Sequence, residues 1–319
     1  MFKYSANANI PVMLFQFLGY PFGFFLLIAD GIFKLNFLLN ISLVLFGSLL
    51  LFLVKVQAAY YFHEFAHGNI FKLVKLNNFF GKAVLCLIGN LIPYQILKKQ
   101  HLNHHARRVD LVVFDHVDYL NRHPTQKFLI HLLEFFMIPA SEVLFQAVAT
   151  RNAWQKGYKG YILIMATSHI ILLMVLYYFN PIALIGYFLA FTGMIQMLRL
   201  MDTFQHTYPV YTPETMPKDL SRVDDQANTF SNYFESGLKP LNWFTLNFGF
   251  HNAHHANPAL PWHKLPEFNV TVKNLRGEKC IKPFLKFRIE RIMNQDLGRE
   301  QKKPDNFVGF SGVSFLTGV

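Results

Sequence analysis

The chain has 319 residues, 52% of them hydrophobic with 35 phenylalanines among them, and a formal charge of +11. Apolar residues gathered into runs at that density exclude an ordinary soluble domain and place the chain among membrane proteins. The basic residues are spread through loops without a basic–aromatic recognition module, which excludes nucleic acid as the partner, and Cys86 and Cys280 read as free thiols rather than a disulfide framework.

Residues 12–29 carry no charge and are long enough to span, with Gly19 and Pro21 as the expected kink. A short turn, Asp30 to Lys34, leads into a second span over 35–54, ended by Lys55. The first run is long and followed at once by the second, so it reads as a retained hairpin rather than a cleaved signal. A third span covers 161–179 and a fourth 182–198, joined by Asn180-Pro181 and ended by Arg199. The two turns hold only Asp30 and Lys34, whereas Lys55, Lys72, Lys75, Lys82, Lys98, Lys99, Arg107 and Arg108 come after the second span. That asymmetry predicts cytoplasmic termini and a cytoplasmic middle segment.

Two further apolar stretches are expected to be re-entrant or interfacial rather than spanning. Residues 83–97 are short and contain Asn90 and Pro93; residues 128–149 contain His131, Glu134, Pro139 and Glu142. The expected fold is therefore all-α and integral to the membrane. It forms a single domain over 1–319, with four transmembrane helices in two hairpins. A helical cytoplasmic cap, from 55–160 and 199–319, would hold a di-metal site.

Three histidine clusters carry the chemistry: His63-Glu-Phe-Ala-His67, His101-Leu-Asn-His104-His105 and His251-Asn-Ala-His254-His255. Residues at i, i+3 and i+4 share a helical face, so each cluster aims its imidazoles one way, while adjacent histidines diverge by about 100° and can serve different ions. A continuing second helix would carry His63 roughly 13 Å past the hydrocarbon edge. Eight imidazoles exceed what a four-coordinate structural zinc uses and suit two ions that each keep an open position. Nitrogen-rich open sites favour iron among oxygen-activating metals, although imidazole also suits zinc, copper and nickel. The repeated spacing argues against surface histidines in a basic cap. His206 is a ninth candidate ligand, with Asp202 one turn before it as a metal, water-mediated or outer-shell group, and Asn247 as a further outer-shell candidate. His169 reads as a polar residue facing the bundle, His116 as an orienting group or a loop residue, and His123, His131 and His263 as structural. Pro258 and Pro261 stop the helix after the third cluster, and Trp262 anchors the segment beyond them.

HxxxH, HxxHH and HxxHH around two membrane hairpins, with a further histidine after the fourth span, resemble the membrane-bound fatty acid desaturases and the hydroxylases and ketolases of their superfamily. The resemblance runs from the first span to about Pro266. It implies a non-haem di-iron centre, with dioxygen as co-substrate, that removes hydrogen from an unactivated C–H bond of an acyl lipid (free, CoA-linked, carrier-protein-linked or lipid-linked). It carries metal ligation onto His63, His67, His101, His104, His105, His251, His254 and His255, with His206 as the additional ligand. Asp202 stands where some relatives have a water-binding asparagine. The chain has no GxGxxG, CxxC or haem-attachment motif, so electrons are expected from a separate ferredoxin, rubredoxin or cytochrome b5-like donor, and the basic cap would suit an acidic donor or acyl-carrier phosphates.

Alternative readings are an acyl or carotenoid hydroxylase or ketolase, a non-catalytic metal-binding membrane protein, and an intramembrane zinc peptidase in which Glu64 of H-E-x-x-H is the base. Glu64→Gln separates the last, because a peptidase needs Glu64 as its base whereas an oxygenase does not use it as one. The absence of a fused cytochrome domain points to a bacterial inner membrane. The apolar tail, 305–319, is expected to pack back onto the cap or the membrane surface.

Overall fold

The computed structural model describes residues 2–107, 110–111, 116–202, 205, 210–211, 229–234 and 239–276. His206, Cys280 and the apolar tail lie outside them, as does the side chain of Asp202. Among the described residues, four helices are long and apolar enough to cross a membrane: α1 (Ala6–Phe33), α2 (Phe37–His67), α8 (Lys159–Phe179) and α9 (Pro181–Asp202, apolar as far as Arg199). Between α2 and α8 lie α3 (Val74–Ile88), α4 (Tyr94–Arg107), α5 (His116–Arg122), α6 (Pro124–Phe135) and α7 (Ala140–Gln155). After α9 come α10 (Lys239–Phe244), α11 (His251–Ala256), a 3-10 turn at Trp262–Lys264 and α12 (Leu265–Arg276). Strand pairing among the described residues includes a two-residue parallel pair of Asp110–Leu111 with Val210–Tyr211 and an isolated antiparallel bridge between Phe2 and Phe71.

The first hairpin is tighter than expected, because α1 continues through Pro11 and Pro21 to Phe33. Lys34, in the left-handed region at φ 52°, caps it, and the Asn36 side chain accepts from Leu39 N–H (3.0 Å) to start α2. At the same end, the two hairpins are bolted together by buried Asn180, whose amide donates to Leu27 O and to Asn40 Oδ1, both at 2.8 Å. Gly31 sits where a Cβ would lie 2.3 Å from Phe179 O, so only glycine permits that approach.

Helix α2 changes surroundings along its length. Phe37, Leu38, Leu45, Phe46 and Leu49 are exposed, as a lipid-facing helix requires, whereas every residue from Val54 to Ala66 is buried. At 31 residues it is about 46 Å long, against a hydrocarbon core of about 30 Å, so its C-terminal turns extend into protein. Those turns run through the main core of the cap, with Val56, Ala59, Phe62 and Phe65 packed among Val84, Ile92, Leu198, Phe248 and Trp262.

Both doubtful apolar stretches are broken helices. Helices α3 and α4 are separated at Gly89–Pro93, and α3 packs along α2. Lys55, expected at the water boundary, is instead fully buried: its ammonium donates to Leu87 O (2.7 Å) and Ile88 O (3.1 Å) at the C-terminus of α3. Carbonyls left without intrahelical partners are a favourable site for a cation. Residues 128–149 divide into α6 and α7 around Met137, at φ 61°. Arg199 is likewise buried, at 2.8 Å from Glu134 and 4.0 Å from Glu142, and Glu134 Oε1 also accepts from Ser141 N–H (3.0 Å). The acidic groups that argued against a span at 128–149 therefore converge on a charge from α9.

Candidate metal centre

Each histidine cluster falls on a helix whose local geometry aims it inward. His63 and His67 occupy the last turns of α2, which Gly68, at φ 68°, ends in a left-handed cap. His101, His104 and His105 lie on α4, and His251, His254 and His255 form most of α11. Asn252 holds α11 from behind: its N–H donates to Ser231 Oγ (3.2 Å) and its amide to Thr229 O (2.6 Å).

The three helices bring five histidines together. His63, His67, His101, His105 and His254 each offer a nitrogen, and these nitrogens all lie within 4.8 Å of one another. Nε2 of His67 approaches Nε2 of His101 to 2.7 Å, His101 approaches His105 to 3.2 Å, and His105 approaches His254 to 3.1 Å. Nitrogens bound at about 2.1 Å to one ion stand roughly 3.0–4.2 Å apart, so this donor set fits a transition metal with small adjustments.

His104, His251 and His255 form an adjoining group: the His255 ring lies 5.2 Å from that of His104 and 4.6 Å from that of His251. His105 stands at the seam, its ring 4.8 Å from His254 and 4.2 Å from His255. The adjacent histidines of α11 thus diverge, His254 towards the first group and His255 towards the second. Asn247, at φ 56°, donates its amide to Trp262 O (3.1 Å) and so holds the turn after α11. His123 stacks on Tyr119 and bonds its carbonyl (2.7 Å), while His169 bonds Met165 O (2.7 Å); both are engaged locally within their own helical segments.

Burial holds the imidazoles of His101, His105, His251 and His254 well below their ordinary value of 6.5, and neighbouring rings push the same way. Neutral imidazole is the ligating form. Unfolded histidines take up protons near pH 6.5 and the folded ones do not, so the metal-free protein is expected to lose stability as pH falls below that value, by up to about 1.4 kcal/mol per pH unit for each group. Melting temperatures in detergent should be flat from about pH 7 to 8 and fall towards pH 5.5; a flat profile throughout would mean the cluster is open to water.

Sequence reasoning did not assign Glu64, Asn69 or Asn9 a part in an oxygenase site. Glu64 Oε2 accepts from Trp262 N–H (3.2 Å), and Asn69 donates to Pro258 O (3.0 Å) and Leu260 O (3.3 Å). Asn9 Oδ1 accepts from Trp262 Nε1 (3.2 Å) and Tyr61 OH (3.3 Å). The anchoring role read for Trp262 was the one available signal.

Two comparisons bear on this arrangement. The family model described as fatty acid desaturase matches residues 40–282, more than half of the chain, including all three histidine clusters. A local stretch of 47 residues is 47% identical to the sphingolipid delta(4)-desaturase DES1 of Drosophila melanogaster, covering 15% of this chain and 14% of that protein.

Proposed function

Because the chain belongs to the fatty acid desaturase family, we propose that it is a membrane-bound di-iron oxidoreductase that uses dioxygen to introduce a double bond into a fatty acyl chain. The observation that carries this reading is the convergence of the histidine clusters into two adjoining groups of buried rings. His63, His67, His101, His105 and His254 would hold one iron. His104, His251 and His255, with His206 and Asp202 as further candidates, would hold the other. The iron pair, when bound, would supply dioxygen activation and C–H abstraction. The protein's part is to keep the imidazoles neutral and fixed and the site dry, and to offer an apolar belt to a lipid substrate.

Desaturation removes two protons and two electrons from the substrate, whereas reducing dioxygen to two waters takes four of each. The other two electrons must come from a separate carrier of the ferredoxin, rubredoxin or cytochrome b5-like kind, for which the basic residues of the cap form a suitable face. The charge asymmetry of the loops supports a cytoplasmic site and cytoplasmic termini, and the inner membrane of a bacterium is the proposed setting. The whole of 1–319 is proposed to act as one domain.

The test is metal content and turnover of the detergent-purified protein. About two irons per chain, together with oxygen-dependent conversion of an acyl lipid to its unsaturated product when a reduced carrier is supplied, are the expected results. The substrate panel should include sphingolipid acyl chains, in view of the relative's name. Zinc alone, with no oxygen consumption, would overturn the proposal, and a hydroxylated or keto product would move the chain to another branch of the superfamily.

A further inference from the structure

We infer that Glu64 is a positioning residue that sets the ring state of His63 and, through the same carboxylate, locks the third histidine cluster against the first. The inference rests on the reading of the histidine clusters as a metal centre. Glu64 is buried at the end of α2 with its two oxygens on different tasks: Oε1 lies 3.4 Å from Nδ1 of His63, and Oε2 accepts the backbone N–H of Trp262 at 3.2 Å. Trp262 closes the turn after α11, and its carbonyl is held in turn by Asn247 (3.1 Å). One carboxylate therefore touches a ring of the first cluster and the peptide that seats the helix of the third.

The two tasks have different chemical requirements. Trp262 N–H needs only an acceptor, which an amide oxygen supplies as well as a carboxylate oxygen does. The contact with His63 needs an acceptor facing Nδ1, so that Nδ1 carries the proton and Nε2 is left to ligate; a carboxylate behind a ligating imidazole fixes the tautomer and raises ligand basicity. At 3.4 Å the contact is long for a hydrogen bond, yet it places the acceptor beside the nitrogen that must keep its proton. In Glu64→Gln the amide oxygen would keep the Trp262 bond, and the NH2 group would then face Nδ1. That donor favours the wrong tautomer, with the proton on Nε2.

The test is titration of metal-free protein with Co(II), read by its visible spectrum, beside the melting temperature of the metal-free form. Wild type, Glu64→Gln, Glu64→Asp and Asn9→Ala are compared. Glu64→Gln is expected to melt close to wild type but to bind cobalt about 10–100-fold more weakly, with an altered spectrum. Asn9→Ala, which loses the bonds to Trp262 Nε1 and Tyr61 OH but leaves the carboxylate and its contacts in place, should lower the melting temperature and leave the spectrum unchanged. Glu64→Asp, a shorter carboxylate, should fall between wild type and Gln, and it carries the test should the Gln variant fail to fold. Wild-type affinity in Glu64→Gln or in Glu64→Asp would overturn the inference, as would a loss of affinity that Asn9→Ala reproduces in proportion to melting temperature. If wild type itself binds no metal, the metal-centre reading falls; if wild type binds and the Gln variant matches it, Glu64 alone loses its role.

Discussion

His105→Ala is expected to abolish turnover, by roughly a thousandfold or more, and to deplete both ions rather than one. His105 shares the first nitrogen cluster with His101 and His254, and its ring lies 4.2 Å from that of His255 in the second group. His254, also in the first cluster, stands farther from the second group, its ring 5.7 Å from that of His255 and 5.8 Å from that of His251. Metal-supplied stabilisation of a transition state is worth several kcal/mol, at about 1.36 kcal/mol per tenfold in rate, which sets the scale of the loss. Iron per chain and product formation, measured on the same preparation, check it. His123→Ala is the control, since His123 is engaged with Tyr119 and should keep both iron and rate. Retention of two irons in His105→Ala would show that the seam is not shared.

Arg199→Met should be the most damaging single change to stability. Arg199 and Glu134 are both buried, 2.8 Å apart, and Glu142 lies 4.0 Å from the same guanidinium. Removing this cation leaves two buried carboxylates without it, at a cost of about 3–5 kcal/mol. The loss should appear as a lower melting temperature in detergent and as poor recovery of folded protein. Arg199→Met combined with Glu134→Leu and Glu142→Leu should recover most of it, because apolar replacement of a whole buried ionic cluster is often neutral. A single variant as stable as wild type would mean that water reaches the carboxylates.

These two residues mark the boundary of what the chain makes legible. The histidine geometry is local. Spacings of three and four on a helix, and the divergence of neighbours, already separate His254 from His255, and the structure keeps them apart in that way. The four spans are also local, being runs of apolar residues, and each expected segment lies inside a longer helix, apart from the first residues of the second span. What local pattern cannot supply is a partner's identity. Arg199 and Lys55 carry the signature of charges ending a span, yet one meets Glu134, 65 positions away, and the other meets the carbonyl ends of α3. Glu64 meets Trp262 across 198 positions, and nothing in the spacing of H-E-x-x-H announces it. Charges taken out of water must find counter-groups, and tertiary packing decides which.

The unbroken run of α2 from its lipid-facing start to His67 has a consequence for how this chain can vary. A loop absorbs an inserted residue, but a continuous helix transmits it. One residue added between Leu45 and Val54 would lift His63 and His67 by about 1.5 Å and swing them about 100° around the axis, away from α4 and α11. Seven residues would restore the heading to within about 20°, but would raise the two rings by roughly 10 Å. Helix α2 therefore acts as a gauge of both depth and heading, and its length is tied to the thickness of the bilayer it crosses. Connecting segments can lengthen or shorten freely in a way that this helix cannot.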